Sequence, residues 1–164
     1  MLKNRSITDR RLYLFDTFEG MPKPTEFDVS YKDKLAIKEF EDQKIDNNSS
    51  NWARIELDEV KKNVFSTGYN KEKFHFIKGK VEDTIPKNSP ETISILRLDT
   101  DWYDSTRHEL IHLFPRLVKG GVIIIDDYGF WKGAKKAADE YFEENNISIL
   151  LNRIDTTGVI GIKI

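Results

Sequence analysis

Apolar and polar positions follow two rhythms along this chain. Short, β-branched runs appear at Ile93-Ser94-Ile95-Leu96-Arg97-Leu98 and at Gly121-Val122-Ile123-Ile124-Ile125. Such runs read as strands buried on both faces, the habit of parallel sheets. Arg11–Asp16 and Phe74–Ile77 read as two earlier strands. Between them the period lengthens: Leu57, Val60, Val64 and Phe65 predict a helix over 56–66. A second helix, from about Ser105 to Lys119, joins the two most apolar strands and is stopped by Gly120-Gly121. A third covers roughly 132–145. Ile147–Leu151 and Val159–Ile164, separated by Asp155-Thr156-Thr157-Gly158, predict an antiparallel hairpin. Strands alternating with helices imply a single α/β domain with a mostly parallel sheet.

One stretch breaks the rhythm. Residues 17–50 are rich in Lys, Asp, Glu, Asn and Ser, with turn signals at Gly20-Met21-Pro22-Lys23-Pro24 and Asn47-Asn48-Ser49-Ser50. An insertion of this length is either a lid or binding loop, or a solvated spacer.

Composition narrows the function. The 164 residues suffice for one domain with a real core. With 26 basic against 28 acidic side chains and no basic block, nothing marks a nucleic-acid or membrane-surface partner. The absence of Cys excludes disulfides, thiolate metal sites and Cys nucleophiles, and fits a reducing compartment. No apolar run is long enough to span a bilayer, and no signal core follows Met1. The expectation is a soluble cytoplasmic protein acting on a small molecule, its oligomeric state left open.

The chemistry concentrates where the apolar strands end. Asp99 closes one run and Asp126-Asp127 the other, with Asp101 and Asp104 nearby. Ligands of open α/β sheets collect outside the carboxyl ends of the strands. Carboxylates gathered there repel one another unless protons or a hard cation such as Mg²⁺ relieve them. Asp104 is explained as well by capping the helix near Ser105, and Asp101 by satisfying a turn. A metal or substrate role is expected for Asp99, Asp126 and Asp127, with Asp99 able to act as general base toward an alcohol. Trp102, Tyr103, Tyr128 and Trp131 stand near enough to frame an acceptor, or simply pack.

His108-Glu109-Leu110-Ile111-His112 matches the H-E-x-x-H signature of zinc peptidases. Leu110, Leu113, Phe114 and Leu117, however, form the stripe that should pack on the sheet. Both His then lie on the opposite side, facing solvent with no cleft, so the peptidase reading is rejected.

Several segments, taken in order, resemble one family. They are Phe15–Pro22 (FDTFEGMP), Val81–Pro86 (VEDTIP), Leu96–Thr106 (LRLDTDWYDST), and Pro115-Arg116-Leu117 through Gly120-Gly121 to Asp126-Asp127-Tyr128-Gly129. Together they resemble the macrocin O-methyltransferase (TylF/MycF) family from about Arg11 onward. The resemblance implies a Rossmann-like class I methyltransferase fold, S-adenosylmethionine as donor, Mg²⁺, and a sugar hydroxyl as acceptor. It implies Asp99, Asp126 and Asp127 as metal ligands, Asp99 as base, Asp16 on the donor's ribose, and Glu82 and Asp83 near its adenine. The stretch 23–55 would be the acceptor lid. The family's N-terminal strand and glycine-rich loop have no counterpart here, since no Gly precedes Gly20. The expectation is therefore an N-terminally truncated sheet, with open strand edges beside a gap or a direct pairing of the Asp16 and Asp99 strands. A second reading is a non-catalytic remnant that keeps the fold and a cation site.

Overall fold

The computed structural model describes residues 7–164. Its strands form two hydrogen-bonded groups. β1 (Leu12–Asp16) pairs in parallel with β2 (Phe74–Lys78), Leu12 opposite Phe74 and Asp16 opposite Lys78. β3 (Ile93–Leu98) pairs in parallel with β4 (Leu117–Ile125), which takes β6 (Val159–Ile162) antiparallel on its other side, followed by β5 (Asn152–Arg153). Among the described residues β1 and β3 are not paired, so each presents an open edge. Arg10 and Ser94, at the starts of these strands, are linked by an Nη1–Oγ hydrogen bond of 3.2 Å.

The main core forms on one face of the four-stranded group. Leu96 and Leu98 of β3 and Ile123 and Ile125 of β4 alternate inward, as period two requires. α4 (Tyr103–Leu113) adds Leu110 and Leu113, and α5 (Lys132–Glu144) adds Ala138, Tyr141 and Phe142. The predicted stripe thus packs, but Leu117 does so from the strand: α4 ends at Leu113 and a 3₁₀ turn, Phe114–Arg116, leads into β4. Pro115 explains the early stop, because it cannot donate to a continuing helix. Gly120-Gly121 lies inside β4 and does not terminate a helix. The register against β3 shifts along this stretch, between Ile93 and Ile95. Gly120 adopts φ +79°, and a Cβ on Gly121 would meet Leu117 Cδ1 and the Val118 carbonyl oxygen at 2.7 Å.

The opposite face departs from the expectation of double burial. Ile95 is 67% exposed and Ile162 58%, with Val122, Ile124 and Ile160 half-buried between them. The reason is where the helices sit. α4 and α5 share the face of Leu96 and Ile123, while α2 (Leu57–Ser66) serves β2 instead, its Phe65 ring 6.0 Å from those of both Phe74 and Phe76.

The polar stretch is folded. Its α1 (Ala36–Asp42) buries Ala36 and Phe40, and Trp52 meets Trp102 and Trp131 edge-on at 5.4 and 5.9 Å. Trp102 Nε1 donates to the Pro22 carbonyl at 3.0 Å. The C-terminal hairpin is shorter than predicted: Ile147, Ile149 and Leu151 pack on the core, and pairing is confined to Asn152–Arg153. No helix is long and apolar enough to cross a membrane among the described residues.

Candidate active site

Parallel pairing brings the carboxyl ends of β3 and β4 side by side, Leu98 opposite Ile125. The next residues are therefore neighbours in space. Oxygens of Asp99, Asp101 and Asp127 lie within 4.8 Å of one another. Asp101 takes φ +64°, a left-handed conformation uncommon for a side chain with a Cβ, and this turn holds its carboxylate beside Asp127. Asp126 stands beside Asp99, its Oδ1 accepting from Arg97 Nη2 at 2.9 Å. The same guanidinium reaches Asp99 Oδ2 through Nη1 at 2.6 Å.

The electrostatics follow from crowding. Loss of water around Asp127, the hydrogen bond it shares with Asp101, and the charges of Asp101 and Asp126 push its pKa up to about 8. Asp99 rises to about 6, chiefly through partial burial and despite Arg97. Burial raises Asp101 as well. Asp127 Oδ2 is buried with no hydrogen-bond partner. An all-oxygen donor set with an unsatisfied buried oxygen and raised carboxyl pKa values suits a hard divalent cation such as Mg²⁺.

Behind this cluster stands a carboxyl that the pattern along the chain did not single out. Glu109 is buried on the inner face of α4, its Oε2 accepting from Thr100 Oγ1 at 2.8 Å, and burial pushes its pKa up to about 8. It is the Glu of the H-E-x-x-H match, turned away from both His. The His108 and His112 rings lie 4.4 Å apart, tilted by 58°, with His108 Nε2 3.1 Å from the Ile85 carbonyl oxygen. Both are half-buried, less open than helical spacing predicted, because the Ile85 backbone covers this side of α4.

A cleft of about 80 Å³ runs from the acidic cluster toward β1, lined by Phe15, Asp16, Gly79, Glu82, Asp99 and Thr100 among others. Asp16 closes β1, its Oδ1 accepting from the Phe18 N–H at 2.6 Å. Glu82, on the short α3 (Val81–Thr84), accepts from Ser105 Oγ at 2.7 Å. Asp83 is exposed and does not line the cleft. A wider cavity of about 420 Å³ adjoins it, bounded by Thr17, Glu19, Asn47, Asn48, Ser49 and Lys80.

Of the residues expected from the sequence, Asp16, Glu82 and Asp99 line the cleft, and Asp127 lies beside Asp99. Sequence reasoning missed Arg97, although a lone charge inside an otherwise apolar strand was a usable signal. It also read Asp101 only as a turn residue, and the left-handed backbone that aims its carboxylate had no mark in the sequence.

The fold agrees with what the chain is similar to. At 30% identity, 97% of it matches demethyldecarbamoylnovobiocin O-methyltransferase of Streptomyces niveus, and at 31%, again 97% matches mycinamicin III 3''-O-methyltransferase of Micromonospora griseorubida. The chain spans 57% and 59% of those relatives' lengths. Among solved structures, the O-methyltransferase NovP superposes with a TM-score of 0.82 at 29% identity, over 99% of this chain and 63% of that one. The calicheamicin methyltransferase CalS11, at 21% identity and a TM-score of 0.60 over 93% of this chain and 60% of its own, shares the fold. A profile of the macrocin-O-methyltransferase (TylF) family matches residues 1–162, and the chain belongs to that family.

Proposed function

We propose that the protein takes part in methyl transfer from S-adenosylmethionine to a hydroxyl of a sugar on a small natural product, with a divalent cation, Mg²⁺ by preference, at the acidic cluster. The observation that carries this reading is the grouping of Asp99, Asp101 and Asp127 around the unpartnered Oδ2 of Asp127, at the end of a cleft. The relatives, a demethyldecarbamoylnovobiocin and a mycinamicin III O-methyltransferase, suggest the acceptor class.

A cation bound there would fix the acceptor hydroxyl and lower its pKa. Asp99 and Asp127 are its ligands in this reading. Asp101 offers the third oxygen as the side chains stand, and Asp126, expected as a ligand from the sequence, is held by Arg97 at the same strand end. Asp99 is the exposed member and lines the cleft, so it is the carboxylate able to meet an entering hydroxyl. With a pKa of about 6 it is largely ionised at neutral pH and can take that proton as the methyl group moves to oxygen. Asp16 and Glu82 stand across the cleft, where they would bond the donor's ribose and approach its adenine. Asp83 would act from the rim. The folded stretch 23–55 would present the acceptor, and positioning donor and acceptor in line is most of what the protein must supply.

The test is transfer of a labelled methyl group from S-adenosylmethionine to mycinamicin III or to demethyldecarbamoylnovobiocin. The expected outcome is product with Mg²⁺, none with EDTA, and none with Asp99→Asn in a folded protein. Full activity in EDTA, or unchanged activity in Asp99→Asn, contradicts the proposal. Asp101→Asn and Asp126→Asn, compared for Mg²⁺ affinity, decide which of the two is the third ligand.

A further inference from the structure

Asp28 is fully buried, yet it lies in the polar stretch between β1 and α1, where solvated carboxylates are the rule. Its partners account for it. Oδ2 accepts from the Thr25 N–H at 2.7 Å and from Thr25 Oγ1 at 2.9 Å. Oδ1 accepts from the Tyr103 N–H at 2.8 Å. Tyr103 is the first residue of α4, and the adjoining cap residue, Trp102, supplies no side-chain cap. Asp28 therefore caps that helix from 75 positions away in sequence.

The same carboxylate also touches the start of α5. A Cβ on Gly133, the second residue of that helix, would lie 2.3 Å from Asp28 Oδ1, so only glycine allows this approach. The backbone beside Asp28 bonds there too: Lys132 N–H to the Val29 carbonyl at 2.8 Å, and Tyr31 N–H to the Phe130 carbonyl at 2.8 Å. Both helix starts that meet at Asp28 favour a negative charge.

Each helix start follows directly from one acidic turn. Asp99 and Asp101 lead through Trp102 into α4, and Asp126 and Asp127 lead through Trp131 into α5. Within the second turn, the Trp131 N–H donates to the Asp127 carbonyl at 3.0 Å. A single buried carboxylate thus ties the two turns together and pins residues 25–31 over them.

We propose that Asp28 is a positioning residue for the cation site: by capping α4 against the start of α5 it sets the spacing of Asp99 and Asp101 relative to Asp127. The inference rests on the cation reading above. It adds that the stretch between β1 and α1 contributes to metal affinity without supplying a ligand.

The experiment is Mn²⁺ binding, followed by electron paramagnetic resonance on the whole chain, for wild type, Asp28→Asn, Asp28→Ala, Gly133→Ala and Leu113→Ala. Leu113→Ala is a core truncation remote from Asp28's bonds and serves as a control for lost stability alone. Supporting residues around metal ligands typically contribute ~10–100-fold in affinity, so Asp28→Ala should weaken Mn²⁺ by about that range. Asp28→Asn keeps one oxygen for the Tyr103 N–H and should recover part of the loss, while Gly133→Ala, which displaces the carboxylate without altering it, should weaken binding as well. Leu113→Ala should bind as wild type does. If Asp28→Ala does not fold, Asp28→Asn and Gly133→Ala decide. Wild-type affinity in the Asp28 and Gly133 variants, or an equal loss in Leu113→Ala, overturns the role of Asp28 while leaving the cation site intact. Failure of the wild type itself to bind Mn²⁺ refutes the cation reading, and this role with it.

Discussion

The two strand groups are built to different standards. In the four-stranded group, Leu110, Ile123 and Ala138 are sealed from water, and both helices that cover it meet on one core. In the group of β1, β2 and α2, no residue of any of these three elements is fully buried; Phe65 meets Phe74 and Phe76 edge-on, Tyr13 stacks on His75, and all these rings remain half-covered. The acidic cluster belongs to the first group, and Asp16, at the far side of the cleft, to the second. The difference teaches that the elements proposed to hold the cation are rigidly supported, and so is α3 beneath Glu82, whereas β1, which carries Asp16, has no fully buried residue of its own. Open edges on β1 and β3 lie between the two groups.

The contrast can be broken most forcefully by truncating each core. Leu110→Ala removes a fully buried side chain and should cost about 2–5 kcal/mol, measured by denaturant unfolding. Phe65→Ala acts on a half-buried ring and should cost roughly half as much or less. Equal losses would erase the distinction. A second check is native-state amide exchange. Amides of β1 and β2 should exchange ~100-fold faster than those of β3 and β4, reflecting local opening without global unfolding. Uniform protection would show one cooperative unit.

Much of this architecture was legible in the chain. The period of Leu110, Leu113 and Phe114 and the β-branched runs located α4, β3 and β4, because burial and periodicity are local statements, but not the end of α4 at Leu113 or the start of β4 at Leu117. Gly120-Gly121 misled for a physical reason: a glycine pair marks backbone freedom, and only the partner strand decides whether that freedom ends a helix or makes an irregularity in a strand. Which face of β3 is covered could not be read from Ile95 and Arg97 alone, since the placement of α2 decides it. The acidic cluster was legible through the ends of β3 and β4. Asp28 and Glu109 were not, because their partners, Tyr103 and Thr100, are reached only through the fold.

A third check sharpens the comparison through pH. The pKa of Glu109 is raised in the folded chain from the ordinary 4.5 to about 8. Between those values the unfolded chain is ionised while the folded chain keeps its proton, so stability is greatest at low pH and is lost as pH rises through about 8. Asp127, raised to about 8, acts in the same direction. Glu109→Gln should therefore flatten the decline between pH 5 and pH 8 by on the order of 3–4 kcal/mol. An unchanged slope in thermal or urea unfolding would mean that Glu109 is ionised where it sits. Smallest of all, Arg97→Gln should shift Mg²⁺ affinity upward by about threefold, since a competing cation leaves Asp99 and Asp126; weaker binding would mean that Arg97 orients the ligands.

The account stands most directly on calorimetric titration of Mg²⁺ into the wild type and Asp127→Asn at pH 7 and pH 8. It predicts one site in the wild type, tighter at pH 8 because Asp127 must give up its proton to bind, and affinity lost by about 100-fold or more in Asp127→Asn. A wild type that takes up no Mg²⁺, or an Asp127→Asn protein that binds it unchanged, would contradict it.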